Sequence, residues 1–221
     1  MNDARAVAFD LDGTLIDSLP DLAAALNRSL ARHGKEPVGR EDVRPMVGDG
    51  AKMLLRRGYE ARGLEPAAGD EALFLEDYEA HVTDLTEAYP GIPEALGALA
   101  AQGYRLGLCT NKPEASARKV LAALGLDRFF GTIVGGDSAP WRKPDPRHLA
   151  AVLDGLGVAA EHAVMVGDHR NDLATAEGLG VPAIFVAWGY GRLDASVKID
   201  RADQLLPTVG RLIGPAGTGQ G

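Results

Sequence analysis

The chain has 221 residues and a formal net charge of −8, with 46% hydrophobic and 24% charged residues. That length accommodates one large domain, or one domain with a smaller insert, and the composition suits a globular protein with a buried core. The acidic balance argues against a nucleic-acid partner, and no apolar run approaches the roughly 20 residues of a membrane span.

The N-terminal residues Met1-Asn2-Asp3-Ala4-Arg5 carry no apolar signal core. The first apolar run, Ala6-Val7-Ala8-Phe9, predicts a buried strand. It leads directly into Asp10-Leu11-Asp12-Gly13-Thr14. Residues i and i+2 of a strand point to the same side. Two unpaired carboxylates there are costly to bury without a partner or a metal. Gly13 lets the backbone turn tightly or approach a ligand closely. The pattern suggests Asp10 as a nucleophile, Asp12 as an acid/base and a cation that holds Asp10.

Next, Ser18-Leu19-Pro20-Asp21 reads as a capping box with Pro in the first helical turn. Leu19, Leu22, Leu26 and Leu30 then recur at helical spacing, and Gly34 is expected to end the helix. Further helices are predicted over 41–46, 51–62 and 70–86, with no strand signal among them. Residues 18–89 therefore read as a helical insert placed after the first strand. Residues 1–17 and 90–221 read as a discontinuous core.

In that core, helices over 92–102, 113–124, 146–156 and 171–178 alternate with apolar runs at 105–109, 132–134, 163–166 and 181–186. The alternation predicts an α/β fold, a doubly wound and mostly parallel sheet of Rossmann-like type. The lone cysteine, Cys109, cannot form a disulfide within the chain. It fits a reducing, cytoplasmic setting and reads as a buried, unreactive thiol. The tail from Gly214 to Gly221 is low in complexity and expected to fray.

Ligands of such sheets bind at the carboxyl ends of the strands. Those ends carry Asp10 and Asp12, then Thr110 and Asn111, then Lys143, and finally Asp168, His169, Asn171 and Asp172. The chemistry that needs this set is phosphoryl transfer: an oxygen nucleophile, neutralisation of phosphoryl charge and a proton for the leaving oxygen. Mg2+ favours oxygen ligands and often takes one or two carboxylates with a phosphate, so Asp10 and Asp168 are candidate ligands. Lys143 would shield charge from another side. His33, His81, His148 and His162 read as surface or boundary residues. His169, beside Asp168, is a candidate for tuning the metal or phosphate.

In order and content these motifs resemble the haloacid dehalogenase superfamily of aspartate-nucleophile phosphatases, over nearly the whole chain. The resemblance implies that Asp10 is the nucleophile and Asp12 the general acid, later base. It implies that Thr110 and Lys143 bind the phosphoryl group. It places Mg2+ on Asp10, the carbonyl oxygen of Asp12 and Asp168, with Asp172 in support, and makes the insert a cap hinged near 17–19 and 89–93. Val47-Gly48-Asp49-Gly50-Ala51, Tyr89-Pro90-Gly91, Thr110-Asn111-Lys112-Pro113 and Lys143-Pro144-Asp145-Pro146 are similar to the phosphoglycolate phosphatases within it. A residue after Asp168 as large as His169 departs from the usual small hydroxyl.

The expected activity is Mg2+-dependent hydrolysis of a small phosphorylated metabolite, 2-phosphoglycolate above other small sugar phosphates. Gly48, Asp49 and Gly50 would meet the substrate carboxylate through amides and a helix N-terminus, with Lys52 in the next turn and Asn111 beside Thr110. The bland reading of that loop is an inter-helix turn. A phosphomutase, a dehalogenase and a non-catalytic module on the same fold are the alternatives. Monomer and homodimer stay equally open.

Overall fold

The computed structural model describes residues 4–216, so most of the glycine-rich tail expected to fray lies outside the described residues. Strands β1 (Ala6–Phe9) and β2 (Ile16–Asp17) precede helices α1 (Leu19–Arg32), α2 (Arg40–Val43), α3 (Ala51–Glu60) and α4 (Asp70–His81). Strand β3 (Glu87–Ala88) leads into α5 (Ile92–Ala101), β4 (Arg105–Cys109), α6 (Glu114–Ala123), β5 (Phe130–Val134), α7 (Pro146–Leu156), β6 (Ala163–Gly167) and α8 (Arg170–Leu179). Strands β7 (Ala183–Val186) and β8 (Lys198–Ile199) and helix α9 (Leu205–Ile213) follow.

The main sheet has six strands in the order β5-β4-β1-β6-β7-β8, with every neighbouring pair parallel. β1 lies inside it, with Phe9 level with Leu108 on one side and Val166 on the other. Alternation along β1 divides its side chains between two cores. Val7 and Phe9 pack with Leu96, Leu99, Val120, Leu205 and Val209, whereas Ala6 and Ala8 pack with Leu149, Val152 and Leu153. Burial on both faces explains why β1 reads as an unbroken apolar run. Strand order departs in both directions from β1, so its carboxyl end is the switch point where such folds hold ligands.

Helices α1 to α4 pack on one another between β2 and β3. The small strands β2 and β3 pair antiparallel, Ile16 with Ala88 and Asp17 with Glu87. This corrects the expectation of a strand-free segment, since β3 falls within 18–89; two residues are too few to show a period. α2 is shorter than expected and continues as a 3-10 turn at Arg44–Met46, while α3 ends at Glu60 and α4 at His81.

The capping box expected at Ser18 is absent: Ser18 precedes α1 but its side chain makes no cap. Its hydroxyl donates to Asp12 Oδ1 at 2.5 Å. Asp21 accepts instead from the amide of Leu85 and the hydroxyl of Thr86, at 3.0 and 2.7 Å. Tertiary partners outcompete the local cap at both positions.

Beyond β7 in the chain, two further elements lacked an expectation. β8 is two residues long, and α9 buries Leu205, Val209 and Ile213 at i, i+4 and i+8, a helical stripe present in the sequence. Among the described residues, no helix is long and apolar enough to cross a membrane.

Candidate active site

The carboxyl ends of β1, β4 and β6 converge on one group of charged side chains, which forms the floor of the site. Lys143 Nζ lies 2.7 Å from Asp10 Oδ1 and 2.6 Å from Asp172 Oδ1, and all three side chains are buried. The Lys143 loop is set by His148, whose Nδ1 accepts from the Lys143 amide at 3.1 Å while Nε2 donates to the Gly135 carbonyl at 3.1 Å. Burial, and next the Lys143 ammonium, depress the His148 pKa to about 4, which keeps the ring neutral for that pairing. His148 is wholly buried, which corrects its reading as a surface or boundary residue.

Asp168 is held by four contacts around its carboxylate. Oδ1 accepts from the Thr14 hydroxyl at 3.0 Å, and Oδ2 accepts from the amides of Tyr190 and Gly191 at 2.7 and 3.3 Å. Gly13 supplies the fourth approach: at φ +86° it presses so close that a Cβ would collide with the Asp168 carboxylate. Only glycine meets both demands.

One carboxylate oxygen each of Asp10, Asp168 and Asp172 falls within a 4.8 Å cluster. Burial, then its acidic neighbours, raise Asp168 from 3.8 to about 8; burial raises Asp10 to about 6, against the opposing pull of Lys143. A single ammonium does not neutralise three clustered carboxylates, and the all-oxygen donor set suits a hard divalent cation. The residues present therefore fit a Mg2+ ion held by Asp10 and Asp168.

Asp12 stands apart from that cluster. Its Oδ1 accepts from Ser18 and, at 3.0 Å, from Lys112 Nζ. Lys112 is a buried cation that also donates to the hydroxyl of Tyr78, from α4, and lies 4.7 Å from that ring's centroid. Burial opposes its charge, but Asp12 and Tyr78 outweigh burial and hold the ammonium firmly protonated. Thr110 is buried at the end of β4, its hydroxyl oxygen accepting from the Lys112 amide at 3.2 Å. Its proton is left to donate upward.

A small cavity of about 30 Å³ lies above this floor. Asp10, Asp12, Thr110, Asn111 and Lys112 border it below, and the insert forms a roof of Leu22, Val47, Gly48, Gly50, Ala51, Leu54 and Tyr78. Space of that size holds a few water molecules at most. Gly48 and Gly50 reach it because their φ angles of +119° and +90° turn the loop inward, and a Cβ at Gly48 would lie 2.8 Å from the His169 ring.

Among the expected residues, Asp10, Asp12, Thr110, Asn111, Gly48 and Gly50 come together around this cavity. Lys143, Asp168 and Asp172 pack beneath it. Asn111 donates from Nδ2 to the carbonyls of Gly48 and Lys143, both at 3.0 Å, so its amide ties roof to floor; its Oδ1 is buried with no protein partner.

Asp49 and Lys52 are not brought to the cavity. Asp49 pairs with Arg57 and accepts from Asn171 Nδ2 at 2.7 Å, and Lys52 is exposed, 3.1 Å from Glu71. Helical geometry accounts for this: Lys52 follows Ala51, which faces the cavity, and the next residue of a helix turns away. His169 caps α8, its Nδ1 accepting from the Asn171 amide at 3.3 Å.

Lys112, Tyr78, Ser18 and Tyr190 were missed. The Tyr190 hydroxyl accepts from the amides of Ser18 and Leu19 at 2.8 and 2.9 Å and donates to Asp17 at 3.0 Å. It thus joins the Asp168 loop to the start of the insert. For Lys112 the signal was its place two residues beyond Thr110 at a strand end.

The haloacid dehalogenase-like hydrolase family matches residues 7–186. The chain belongs to this family. It is 48% identical over 196 residues to a phosphoglycolate phosphatase of Rhodospirillum rubrum, covering 85% of this chain and 81% of the relative. With a phosphoglycolate phosphatase of Pseudomonas putida it shares 43% identity over 217 residues, 92% of this chain and 79% of that one. The crystal structure of a predicted phosphoglycolate phosphatase from Haemophilus somnus superposes with a TM-score of 0.84 at 30% identity, covering 94% of this chain and 99% of the other. The chain is accordingly a hydrolase with an α/β, Rossmann-like fold.

Proposed function

We propose that this enzyme is a phosphatase that hydrolyses 2-phosphoglycolate through an aspartyl-phosphate on Asp10. The observation that carries the reading is the division of labour between two neighbouring carboxylates. Asp10 is paired with Lys143 at the metal-binding cluster, while Asp12 is paired with Ser18 and Lys112 away from it.

In the first step an Asp10 oxygen attacks phosphorus and the ester P–O bond breaks. Asp12, protonated, delivers its proton to the departing oxygen, so glycolate leaves as the alcohol. Lys143 and the Thr110 hydroxyl counter the charge on the equatorial phosphoryl oxygens. In the second step Asp12, now a base, takes a proton from water, whose oxygen attacks phosphorus and releases Asp10 and orthophosphate. When bound at Asp10 and Asp168, with Asp172 in support, Mg2+ supplies further neutralisation of phosphoryl charge.

We assign residues 18–89 as a cap. The small space of about 30 Å³ between floor and insert supports a small substrate that the cap admits by withdrawing, hinged beside Tyr190 and the β2–β3 pair. Excluding bulk water protects the acyl phosphate until Asp12 directs its hydrolysis. We place the reaction in the cytoplasm, where the lone, buried Cys109 stays reduced.

The test is steady-state hydrolysis of 2-phosphoglycolate against a panel of sugar phosphates, with free phosphate measured and no sugar bisphosphate added. Phosphoglycolate should give the highest kcat/KM. A sugar phosphate with a higher value would reassign the substrate, and isomerisation of a sugar phosphate without release of free phosphate would point to a mutase.

A further inference from the structure

Lys112 has more donors than the protein uses. An ammonium carries three N–H groups. One meets Asp12 Oδ1 at 3.0 Å and a second meets the Tyr78 hydroxyl. Among the described residues no third acceptor lies within hydrogen-bond distance of Nζ. The side chain is 2% exposed to solvent, so bulk water does not serve that donor. It borders the cavity and is the only cationic side chain among the residues that line it. Lys143 lies below, engaged with Asp10 and Asp172.

The position of Lys112 follows the leaving group. To receive a proton, the ester oxygen must lie within hydrogen-bond reach of Asp12. Nζ of Lys112 is 3.0 Å from that same carboxylate. In a phosphomonoester of a 2-hydroxy acid, the carboxylate carbon is two bonds of about 1.5 Å from the ester oxygen. A carboxylate at that offset is within reach of the third donor of Lys112. The roof is aliphatic side chain, glycine backbone and Tyr78, which offers no second cation.

We propose that Lys112 is the specificity-determining cation, selecting phosphomonoesters that carry a carboxylate one carbon from the ester oxygen. Tyr78 holds the ammonium from the insert side, so recognition is complete only with the insert in place. The inference rests on the proposed phosphatase reading and names the group that reads its substrate.

The experiment compares 2-phosphoglycolate with its uncharged amide, phosphoglycolamide, in the wild type, Lys112→Met and Lys112→Arg. The measured quantity is the ratio of kcat/KM for acid over amide. The wild type should favour the acid by about 30-fold or more, as expected for a charged hydrogen bond in a buried site. Lys112→Met should reduce that ratio to about threefold or less, and Lys112→Arg, which keeps the charge, should retain most of it. If Lys112 only positions Asp12, Lys112→Met lowers both substrates equally and the ratio is preserved, which overturns the proposal. An equal rate on acid and amide in the wild type overturns it without any variant. A wild type that prefers another ester to phosphoglycolate defeats instead the functional reading.

Discussion

The floor and the roof of the cavity are built from opposite materials. Below, Asp10, Lys143, Asp168 and Asp172 are buried charges fixed by one another and by the ends of parallel strands. Above, the insert offers Val47, Leu54, glycine backbone and one tyrosine, on elements tied to the core by a few polar contacts such as Asn111 to Gly48. Buried charges tolerate little displacement, because losing a partner leaves a neighbour uncompensated. Backbone and aliphatic groups can shift with small penalties. The roof is thus suited to admitting an ester, and the floor to its chemistry, with Lys112 at the floor's edge, held by Tyr78 of the insert, where the two meet.

Substitutions sharpen that contrast in descending order of effect. Asp10→Asn should lower kcat by at least about 10⁴-fold with KM little changed, because it removes the proposed nucleophile and leaves the roof intact. Unaltered turnover of the purified variant would contradict covalent catalysis. Lys143→Met leaves Asp10 and Asp172 buried without their cation, and should cost about 3–5 kcal/mol in urea unfolding of the metal-free protein as well as most activity. A stability loss below about 1 kcal/mol would show that the floor is more hydrated than its burial indicates.

The same carboxylates predict a pH dependence. Asp10 and Asp168 have folded-state pKa values raised from 3.8 to about 6 and about 8. The folded chain therefore binds more protons than the unfolded chain between these limits, and the linked stability is lost as pH rises through 6 to 8. The metal-free Tm should fall between pH 5.5 and 8.5, and the Tm difference between Mg2+ and EDTA should widen. A difference that narrows would place the ion elsewhere.

Roof variants should act more mildly. Gly48→Ala puts a methyl against the His169 ring at a φ of +119°, and should raise KM about tenfold with a smaller change in kcat. Tyr190→Phe removes the acceptor for two amides at the start of α1 and should cost about 1–3 kcal/mol in thermal or urea unfolding. Equal losses of kcat in floor and roof variants would erase the distinction.

Much of the floor was legible because its residues follow apolar runs: Asp10 after Phe9, Thr110 after Cys109, and Asp168 after the run ending at Val166. A strand end specifies where such a side chain goes before its partners are known. Lys143 needed its motif, since its place depends on the His148 pairing, which pattern alone does not reveal. Roof positions were harder. Lys52 sits at a helix start like Ala51, yet one residue decides between cavity and solvent. Ser18 and Asp21 looked like a local cap and bond instead to Asp12 and to the Leu85 amide and Thr86 hydroxyl, partners 6 and 64–65 residues away. Lys112 and Tyr78 are joined across 34 residues, a contact without local periodicity.

The most direct measurement is acid quenching of wild-type enzyme during turnover of 2-phosphoglycolate, followed by borohydride reduction and peptide mass spectrometry. Phosphorylation of Asp10 predicts its conversion to homoserine, in proportion to enzyme trapped in the acyl-phosphate state and absent without substrate. Reduction at Asp12 or another carboxylate, with Asp10 unmodified while turnover proceeds, would contradict the assignment of Asp10 as the nucleophile.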